Sequence, residues 1–350
     1  MSFNIDHRRI GQDSTPFIIA EMSGNHNQSL DRALRLVDAA AKTGAHALKI
    51  QTYTADTMTL DLQEGEFFIS DPNNPWSGST LHALYAKAHT PWEWHAPIFE
   101  RARKHGMIPF STPFDATAVD YLEALDVACY KISSFENTDL QLIRKVAATG
   151  KPVIISTGMA NLAELDETVR VARDAGCKDL VLLQCTSTYP ATPLESNLRT
   201  IPHMREAFGC EIGLSDHTMG VGVSVASVAL GASVIEKHFT LSRAEGGIDS
   251  TFSMEPAEMA MLVVESERAW QALGRVQYGA ASANETTSRD YRRSLYVVRD
   301  MAANEVFTPD NLRAIRPGRG LSTKYYDVFM GKRVTQAVKC GTPVSWSLIG

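Results

Sequence analysis

Residues 210–218 read CEIGLSDHT, and residues 232–240 read ASVIEKHFT. Each segment runs from a short apolar stretch into a polar end that carries a histidine, His217 or His238. Residues 221–231 between them are rich in Gly, Ala, Ser and Val and have the length of a helix, so the pattern predicts strand, loop, helix and strand. The two histidines are separated by about one α/β repeat. We therefore expect them at the carboxyl ends of neighbouring parallel strands.

The same alternation of strand and helix extends over most of the chain. Helical apolar spacing occurs at 30–43, 91–105, 139–149 and 162–175, and glycines suited to helix ends follow at Gly44, Gly106, Gly150 and Gly176. Eight candidate strands lie at 17–21, 47–51, 107–111, 128–132, 152–156, 180–185, 211–215 and 234–238.

Eight repeats within about 250 residues predict an α/β fold, a (β/α)8 TIM barrel over residues 1–274. A doubly wound open sheet is the alternative. That fold usually has fewer repeats and a glycine-rich first turn, which is absent here.

Two regions depart from the repeat. Residues 54–90, which include DPNNPWSG at 71–78, show no clear periodicity and follow the second strand on the predicted active-site face. They are expected either to cover or select a substrate, or to form a poorly ordered surface loop. After Gly274, small polar residues predict a linker at 275–290. Residues 291–350 then predict a small domain of short strands and turns that must pack on something to be stable.

Composition narrows the class of protein. The hydrophobic fraction of 44% and the charged fraction of 21% are those of an ordinary globular enzyme. A net charge of −6 argues against a general nucleic-acid or membrane-surface binder. The N-terminus has no signal-peptide pattern, and no apolar run reaches transmembrane length. The five cysteines have no paired spacing, so we expect reduced thiols and a cytoplasmic protein.

The polar residues at the predicted strand ends indicate the chemistry of the site. His217 and His238 converge there and suit one divalent metal ion, although each could instead cap its strand by hydrogen bonding. Lys49 and Lys131 stand among hydroxyl side chains, which predicts a cradle for a small phosphate or carboxylate substrate. Glu21 is a candidate base, with a salt bridge to a neighbouring lysine as the alternative. Strand eight also supplies Lys237.

Many motifs in fixed order resemble the sialic-acid synthase family over essentially the whole chain. The tail segment RPGRG at 316–320 resembles the antifreeze-protein-like domain that closes these enzymes, so the full expected fold is a TIM barrel followed by this small C-terminal domain. The barrel motifs are AEMSGNHN at 20–27, KIQT at 49–52, FSTPF at 110–114, YKISS at 130–134, STGM at 156–159, CTSTYP at 185–190, GLSDHT at 213–218 and EKHFT at 236–240.

The resemblance implies that phosphoenolpyruvate condenses with an amino-sugar aldehyde, with C–O cleavage and release of phosphate. Glu21 is implied to position or deprotonate water, and His217 and His238 to hold Mn²⁺ or Mg²⁺, with Co²⁺ as a further candidate. Ser187 stands where the sialic branch has Asn. The residues implied to hold phosphoenolpyruvate are Lys49, Thr112, Lys131, Ser134, Ser156, Ser187, Tyr189 and Ser215.

On the sugar side the resemblance implies contacts from Gln51 and Asp249. It also implies that Arg316 reaches the sugar N-acyl group in the partner subunit of a domain-swapped homodimer. Within the family, LKIQTYT at 48–54, LYAKAHTPWEW at 84–94 and SFENT at 134–138 most resemble the pseudaminic acid branch, which uses 2,4-diacetamido-2,4,6-trideoxy-L-altrose. The N-acetylneuraminate branch tends to have Gly-Glu in place of the Phe-Glu-Asn at 135–137.

An N-acetylneuraminate or legionaminate-type synthase is the alternative within the family. A non-catalytic sugar-binding barrel is a distant alternative from a different class. It is disfavoured because Glu21, both lysines and both histidines are all present.

Overall fold

The computed structural model describes residues 2–72 and 76–350. It divides into two compact units, Met1–Gly274 and Arg275–Gly350, and each is described by itself. Among the residues described, no helix combines the length and the apolar character that crossing a bilayer requires. All five cysteines are free thiols.

Eight parallel strands close the first unit into a barrel, in the order β10-β3-β4-β5-β6-β7-β8-β9. Their residues are mostly apolar and almost all buried, because each strand contacts the barrel interior on one face and helices on the other. The predicted barrel is confirmed. The strands are β3 Phe17–Glu21, β4 Ala47–Thr52, β5 Ile108–Pro113, β6 Tyr130–Ile132, β7 Val153–Ser156, β8 Leu180–Cys185, β9 Glu211–Ser215 and β10 Val234–His238.

A short antiparallel hairpin precedes the barrel. Strand β1, Phe3–Ile5, pairs with β2, Arg8–Ile10, and the side chains of Ile5 and Ile10 are buried in the barrel core. The sequence analysis did not predict this hairpin, because each strand has only three residues.

Side-chain caps and glycines fix the ends of the helices around the barrel. Ser29 accepts from the N–H of Arg32 at the start of α1, and Asn161 forms a capping box with Glu164 at the start of α7. The four glycines predicted to end helices all have positive φ, between 74° and 106°. The helices are α1 Leu30–Lys42, α2 Ala55–Met58, α3 Leu81–Ala88, α4 His95–Lys104, α5 Ala116–Ala124, α6 Leu140–Ala147, α7 Leu162–Asp174, α8 Thr200–Phe208, α9 Gly222–Ala229 and α10 Pro256–Leu273.

The insertion at 54–90 contains α2, α3 and a 3-10 turn at Gly65–Phe67. Residues 73–75 of the segment at 71–78 lie outside the described residues. Two buried histidines hold the end of the insertion. The Nε2 atom of His95 lies 2.8 Å from the Thr52 hydroxyl, and that of His26 lies 3.2 Å from the Thr90 hydroxyl. This segment is therefore attached to the carboxyl ends of β3 and β4.

The second unit has an apolar core of its own. Helix α11, Ala283–Ser288, lies in the stretch predicted as a linker, and α12 is Tyr326–Phe329. Strands β11, Ser294–Val297, and β12, Leu312–Ile315, pair in antiparallel fashion. The buried apolar residues are Leu295, Val297, Met301, Phe307, Leu312, Phe329, Val334, Val338, Val344 and Leu348. Outside these two strands, Arg333 forms an isolated antiparallel bridge with Val306.

Candidate active site

A buried group of charges fills the barrel at the carboxyl ends of its strands. Glu21 and Lys49 are directly opposite each other on β3 and β4, and Lys49 Nζ lies 2.8 Å from Glu21 Oε2. The same ammonium lies 3.4 Å from Glu236 Oε1. Gln51 donates to Glu21 Oε1 at 3.0 Å. The salt bridge considered as the alternative role of Glu21 is therefore present, and one of its oxygens also accepts from an amide.

The two acids respond differently to this environment. Burial raises the pKa of Glu21, and the charge of Glu236 adds to the effect against the opposing pull of Lys49. Burial also opposes ionisation of Glu236, but Lys131 and Lys49 outweigh it and lower its pKa. The site therefore holds one firmly ionised carboxylate and one carboxyl group that gains or loses a proton more easily.

Lys131 is a buried cation without an acidic partner. Only 1% of its surface is exposed, and its Nζ donates to Ser156 Oγ at 2.6 Å and to the carbonyl of Ile132 at 2.9 Å. Within the described part of the chain no carboxylate lies within 4.0 Å of it, whereas Lys49 and Lys237 each have such a partner. Burial lowers the pKa of Lys131. An anion bound beside it would compensate this charge.

The predicted hydroxyl groups line the same end of the barrel. Thr112 accepts from Lys49 at 3.2 Å, and Ser215 Oγ lies 3.5 Å from Glu236 Oε1. Ser134 Oγ accepts from the N–H of Gly158 at 3.2 Å. A Cβ at Gly158 would lie 2.1 Å from Ser187 Oγ, so only glycine lets these two serines approach this backbone.

His217 and His238 stand side by side, with ring centroids 5.4 Å apart. His217 Nδ1 lies 2.9 Å from the carbonyl oxygen of Thr186, which can only accept, so Nδ1 carries a proton and, in the neutral ring, Nε2 keeps a lone pair. His238 Nδ1 is buried without a hydrogen-bond partner in the described chain. These two nitrogens fit a metal ion. No group of three or more His, Cys, Asp or Glu side chains suited to a metal occurs among the described residues.

Electrostatics distinguishes the two imidazoles. Burial, with the neighbouring charge of His217, lowers the pKa of His238 well below its usual value, which favours the neutral form that binds metals. Burial also opposes the charge on His217, but its contact with the Cys185 thiol outweighs this and raises its pKa. The thiol in turn has a pKa of about 7, because the contact with His217 overcomes the effect of burial. Cys185 was not expected in the site.

A cavity of about 510 Å³ opens above these groups. Its polar side includes Gln51, Asp249, Ser187, Tyr189 and His238, all predicted from the sequence. The tyrosine ring lies 4.5 Å from that of His217 between centroids. The apolar wall comes from the insertion and from three barrel loops, through Met58, Ile69, Trp76, Leu81, Leu84, Tyr85, Ala88, Phe114, Phe135 and Ile248.

Two residues considered in the sequence, Lys237 and Arg316, are not among the groups that face the barrel interior, and two residues that were not considered lie in the site. Lys237 faces away from the interior and pairs with Asp216 at 3.0 Å, while Glu236 and His238 face inward. The period-two alternation of a strand would have identified Glu236 in advance. Arg316 is an exposed residue of the second unit, so it is not among the residues gathered in the barrel. Ser23, which donates to Asp249, was not identified from the sequence.

The location of these groups is the one at which α/β-barrel enzymes place their catalytic residues. The chain thus has the architecture of a barrel enzyme. It belongs to the NeuB family, which its residues 36–278 match, and residues 292–350 match the SAF domain. The family resemblance noted in the sequence is confirmed.

Named relatives cover nearly the whole chain. The pseudaminic acid synthase of Campylobacter jejuni is 41% identical over 94% of this chain and 95% of its own length. The N,N'-diacetyllegionaminic acid synthase of the same organism is 36% identical, over 92% and 96%. The crystal structure of N-acetylneuraminic acid (sialic acid) synthetase from Leptospira borgpetersenii, in complex with citrate, has a TM-score of 0.73 and 31% identity. It covers 83% of this chain and 96% of that one.

The absence of a carboxylate partner for Lys131 leads to a testable prediction. Replacing Lys131 by Met removes a buried cation, so the variant should fold with an apparent Tm at or above that of the wild type. Inorganic phosphate should stabilise the wild type, by up to about 2.7 kcal/mol at a hundredfold excess over Kd, and so raise its Tm, but it should not raise the Tm of the variant. Differential scanning fluorimetry measures both effects.

Lys237→Met is the matched control. This lysine is equally buried but paired with Asp216, so its loss should lower Tm and leave the stabilisation by phosphate intact. Stabilisation of Lys131→Met by phosphate to the wild-type extent would contradict the anion site.

Proposed function

We propose that the protein is a pseudaminic acid synthase, a transferase that joins phosphoenolpyruvate to 2,4-diacetamido-2,4,6-trideoxy-L-altrose and releases phosphate. The observation that carries this proposal is the unpaired Lys131, set among hydroxyls in the same barrel end as a sugar-sized cavity. The higher identity to the pseudaminic acid synthase than to the legionaminic acid synthase of one organism favours this sugar over the alternative. We also propose a cytoplasmic location, consistent with five free thiols.

The reaction forms one carbon–carbon bond and breaks one carbon–oxygen bond. C3 of phosphoenolpyruvate bonds to the aldehyde carbon of the sugar, water adds to C2, and the C2–O bond to phosphate breaks. The water loses one proton when it adds to C2 and the second when C2 becomes a ketone and phosphate leaves. The aldehyde oxygen gains one of these protons, and the departing phosphate gains the other. Lys49 and Lys131, with Thr112, Ser134, Ser156, Ser187, Tyr189 and Ser215, would hold phosphoenolpyruvate.

Glu21 is suited to handle the proton that leaves the water. Its pKa is raised mainly by burial, which brings a carboxyl group closer to the range in which it works as an acid or base at neutral pH. Lys49 and Gln51 fix both of its oxygens, so its orientation is set before water arrives.

His217 and His238 would hold the metal ion, Mn²⁺ or Mg²⁺, with Co²⁺ as a further candidate. When bound, the ion would act as a Lewis acid on the aldehyde oxygen. The hydrogen bond from His217 to the Thr186 carbonyl fixes the ring and its tautomer.

The apolar wall of the cavity supports the choice of sugar. Met58, Ile69 and Leu84 come from the insertion, and Phe135, with 60% of its surface exposed, borders the same space. The proposed sugar carries a deoxy methyl group and two acetamido methyl groups. Such groups gain from leaving water against an apolar wall, by about 0.8 kcal/mol for each methylene-sized group.

We predict that phosphate release from phosphoenolpyruvate requires the sugar and prefers the 6-deoxy diacetamido substrate. N-acetylmannosamine carries a hydroxyl that the apolar wall does not bind, so its kcat/KM should be lower by about 10- to 100-fold. The assay measures phosphate release over a panel of amino sugars, with omission of each substrate as the control. A preference for N-acetylmannosamine would contradict the proposed sugar. No release with any sugar would contradict the function itself.

The histidine pair predicts metal dependence. His238→Ala should remove Mn²⁺ binding, measured by calorimetry and by metal content, together with turnover, because one of two protein ligands is lost. A chelator should silence the wild type until Mn²⁺ or Mg²⁺ is restored. His203→Ala, which changes an exposed histidine, is the control and should bind Mn²⁺ normally. Full turnover after exhaustive chelation would rule out the metal.

We further propose that the enzyme is a domain-swapped homodimer in which Arg316 serves the site of the other subunit. Arginine presents a planar donor fork that suits an acyl carbonyl. The proposal predicts complementation between two variants that are each impaired. Glu21→Gln should lose about 10²- to 10⁴-fold in turnover, and Arg316→Ala should mainly raise the KM for the sugar.

After subunit exchange, a mixed dimer contains one site with both residues intact, so activity should rise above the sum of the separate variants. Arg319→Ala, a change of a nearby exposed arginine, is the matched control for Arg316→Ala. No recovery after exchange has been confirmed by mass spectrometry would show that each Arg316 serves its own barrel.

A further inference from the structure

Ser23 has an unusual backbone conformation directly after β3. Its φ is +47°, a left-handed value that side chains other than Asn and Asp rarely adopt. In the part of the chain that the structure describes, only Gln28 and Met159 share this property outside Asn, Asp and Gly. Such a conformation costs of order 1 kcal/mol or more, and glycine would adopt it without strain. The serine side chain must therefore offer something that glycine does not.

The Ser23 hydroxyl joins two parts of the site that are far apart in sequence. It donates to Asp249 Oδ2 and accepts from Gln51 Nε2 at 3.2 Å. Both partners are side chains, so the hydroxyl is not satisfying a local turn. It is only 4% exposed, and it lines the cavity.

Each of the two side chains that contact Ser23 also approaches another group of the site. Gln51 also donates to Glu21 at 3.0 Å, and Glu21 pairs with Lys49. In the other direction, the same oxygen of Asp249 lies 4.0 Å from His238 Nδ1. Among the described residues, no other side chain donates a hydrogen bond to the carboxylate of Asp249, whereas the Ser253 hydroxyl donates to its main-chain carbonyl at 2.6 Å. Ser23 is thus the link between the Asp249 carboxylate and the group around Glu21.

We propose that Ser23 is a positioning residue for the sugar. Its hydroxyl fixes Asp249 and Gln51 relative to Glu21, so that the sugar is held in register with the water that Glu21 handles. This inference rests on the proposed function, in which Asp249 and Gln51 bind the sugar. The strained backbone conformation of Ser23 is the energetic cost of a hydroxyl group at this point. Glycine would form the same turn without strain but would not supply the hydroxyl.

Two variants separate the hydroxyl from the backbone. Ser23→Gly removes both the hydroxyl and the strain, and it should keep or raise the apparent Tm. Ser23→Ala removes the hydroxyl but keeps the strain, and it should lower Tm. Both should lose about 10- to 100-fold in kcat/KM for the sugar, because a hydrogen bond to a charged group is lost, with the KM for phosphoenolpyruvate nearly unchanged.

A double-mutant cycle tests whether Ser23 acts through Asp249. If it does, adding Ser23→Gly to Asp249→Asn should reduce kcat/KM for the sugar by much less than the product of the single effects. Purely multiplicative losses would overturn the proposal. So would a Ser23→Gly enzyme with wild-type kinetics, or one in which both substrates lose affinity equally as Tm falls.

Crystal structures of the wild type and of Ser23→Gly give a readout that needs no sugar. The Asp249 carboxylate should be ordered on Ser23 in the wild type and displaced or in several rotamers in the variant. An unmoved Asp249 would overturn the inference even in an active enzyme. If the wild type were inactive and Asp249 were nevertheless displaced in the Ser23→Gly variant, the result would count against the proposed function alone.

Discussion

The buried ion group of Glu21, Lys49 and Glu236 is the constraint on which the site depends. Charges in a protein interior are tolerated only when partners and hydrogen bonds hold them in place, and removal of one partner commonly costs about 3–5 kcal/mol. The barrel meets this demand through its backbone: pairing of β3 with β4 sets Glu21 against Lys49, and pairing of β10 with β3 sets His238 beside Glu21. The register of three strands thus fixes the relative positions of the acid, the cation and the imidazole for which metal binding is proposed.

Much of the barrel could be predicted because its strands are buried on both faces and read as short apolar runs, and because glycines mark the helix ends. Polar residues at the strand ends then identified most of the side chains that the structure gathers at the carboxyl end of the barrel. Glu236 was not considered from the sequence, whereas Lys237 was, because position at a strand end was used without the alternation of side chains along the strand. Ser23 could not be found at all, since neither its φ nor its distant partner Asp249 leaves a local signal in the sequence.

The insertion shows the other limit of sequence analysis. Residues 54–90 have little periodicity because much of their apolar surface faces a cavity rather than a helix-packing stripe. Their attachment depends on tertiary hydrogen bonds from His26 and His95, which no spacing rule predicts. The barrel and the insertion contribute different parts of the site. The barrel interior supplies the buried charged groups, and the attached insertion supplies much of the apolar wall of the cavity.

The features that cost stability are concentrated where ligands would bind. Lys131 lacks an acidic partner, His238 Nδ1 and Glu236 Oε2 lack hydrogen bonds among the described residues, and Ser23 carries backbone strain. A buried unsatisfied polar group commonly costs about 1–3 kcal/mol. A barrel whose strands are buried along their whole length can absorb such costs without losing its register. The site can therefore hold a cation without an acidic partner and imidazole nitrogens without hydrogen bonds, which an anion and the proposed metal ion would bind. The apolar strands beneath the site supply the stability that these unsatisfied groups cost.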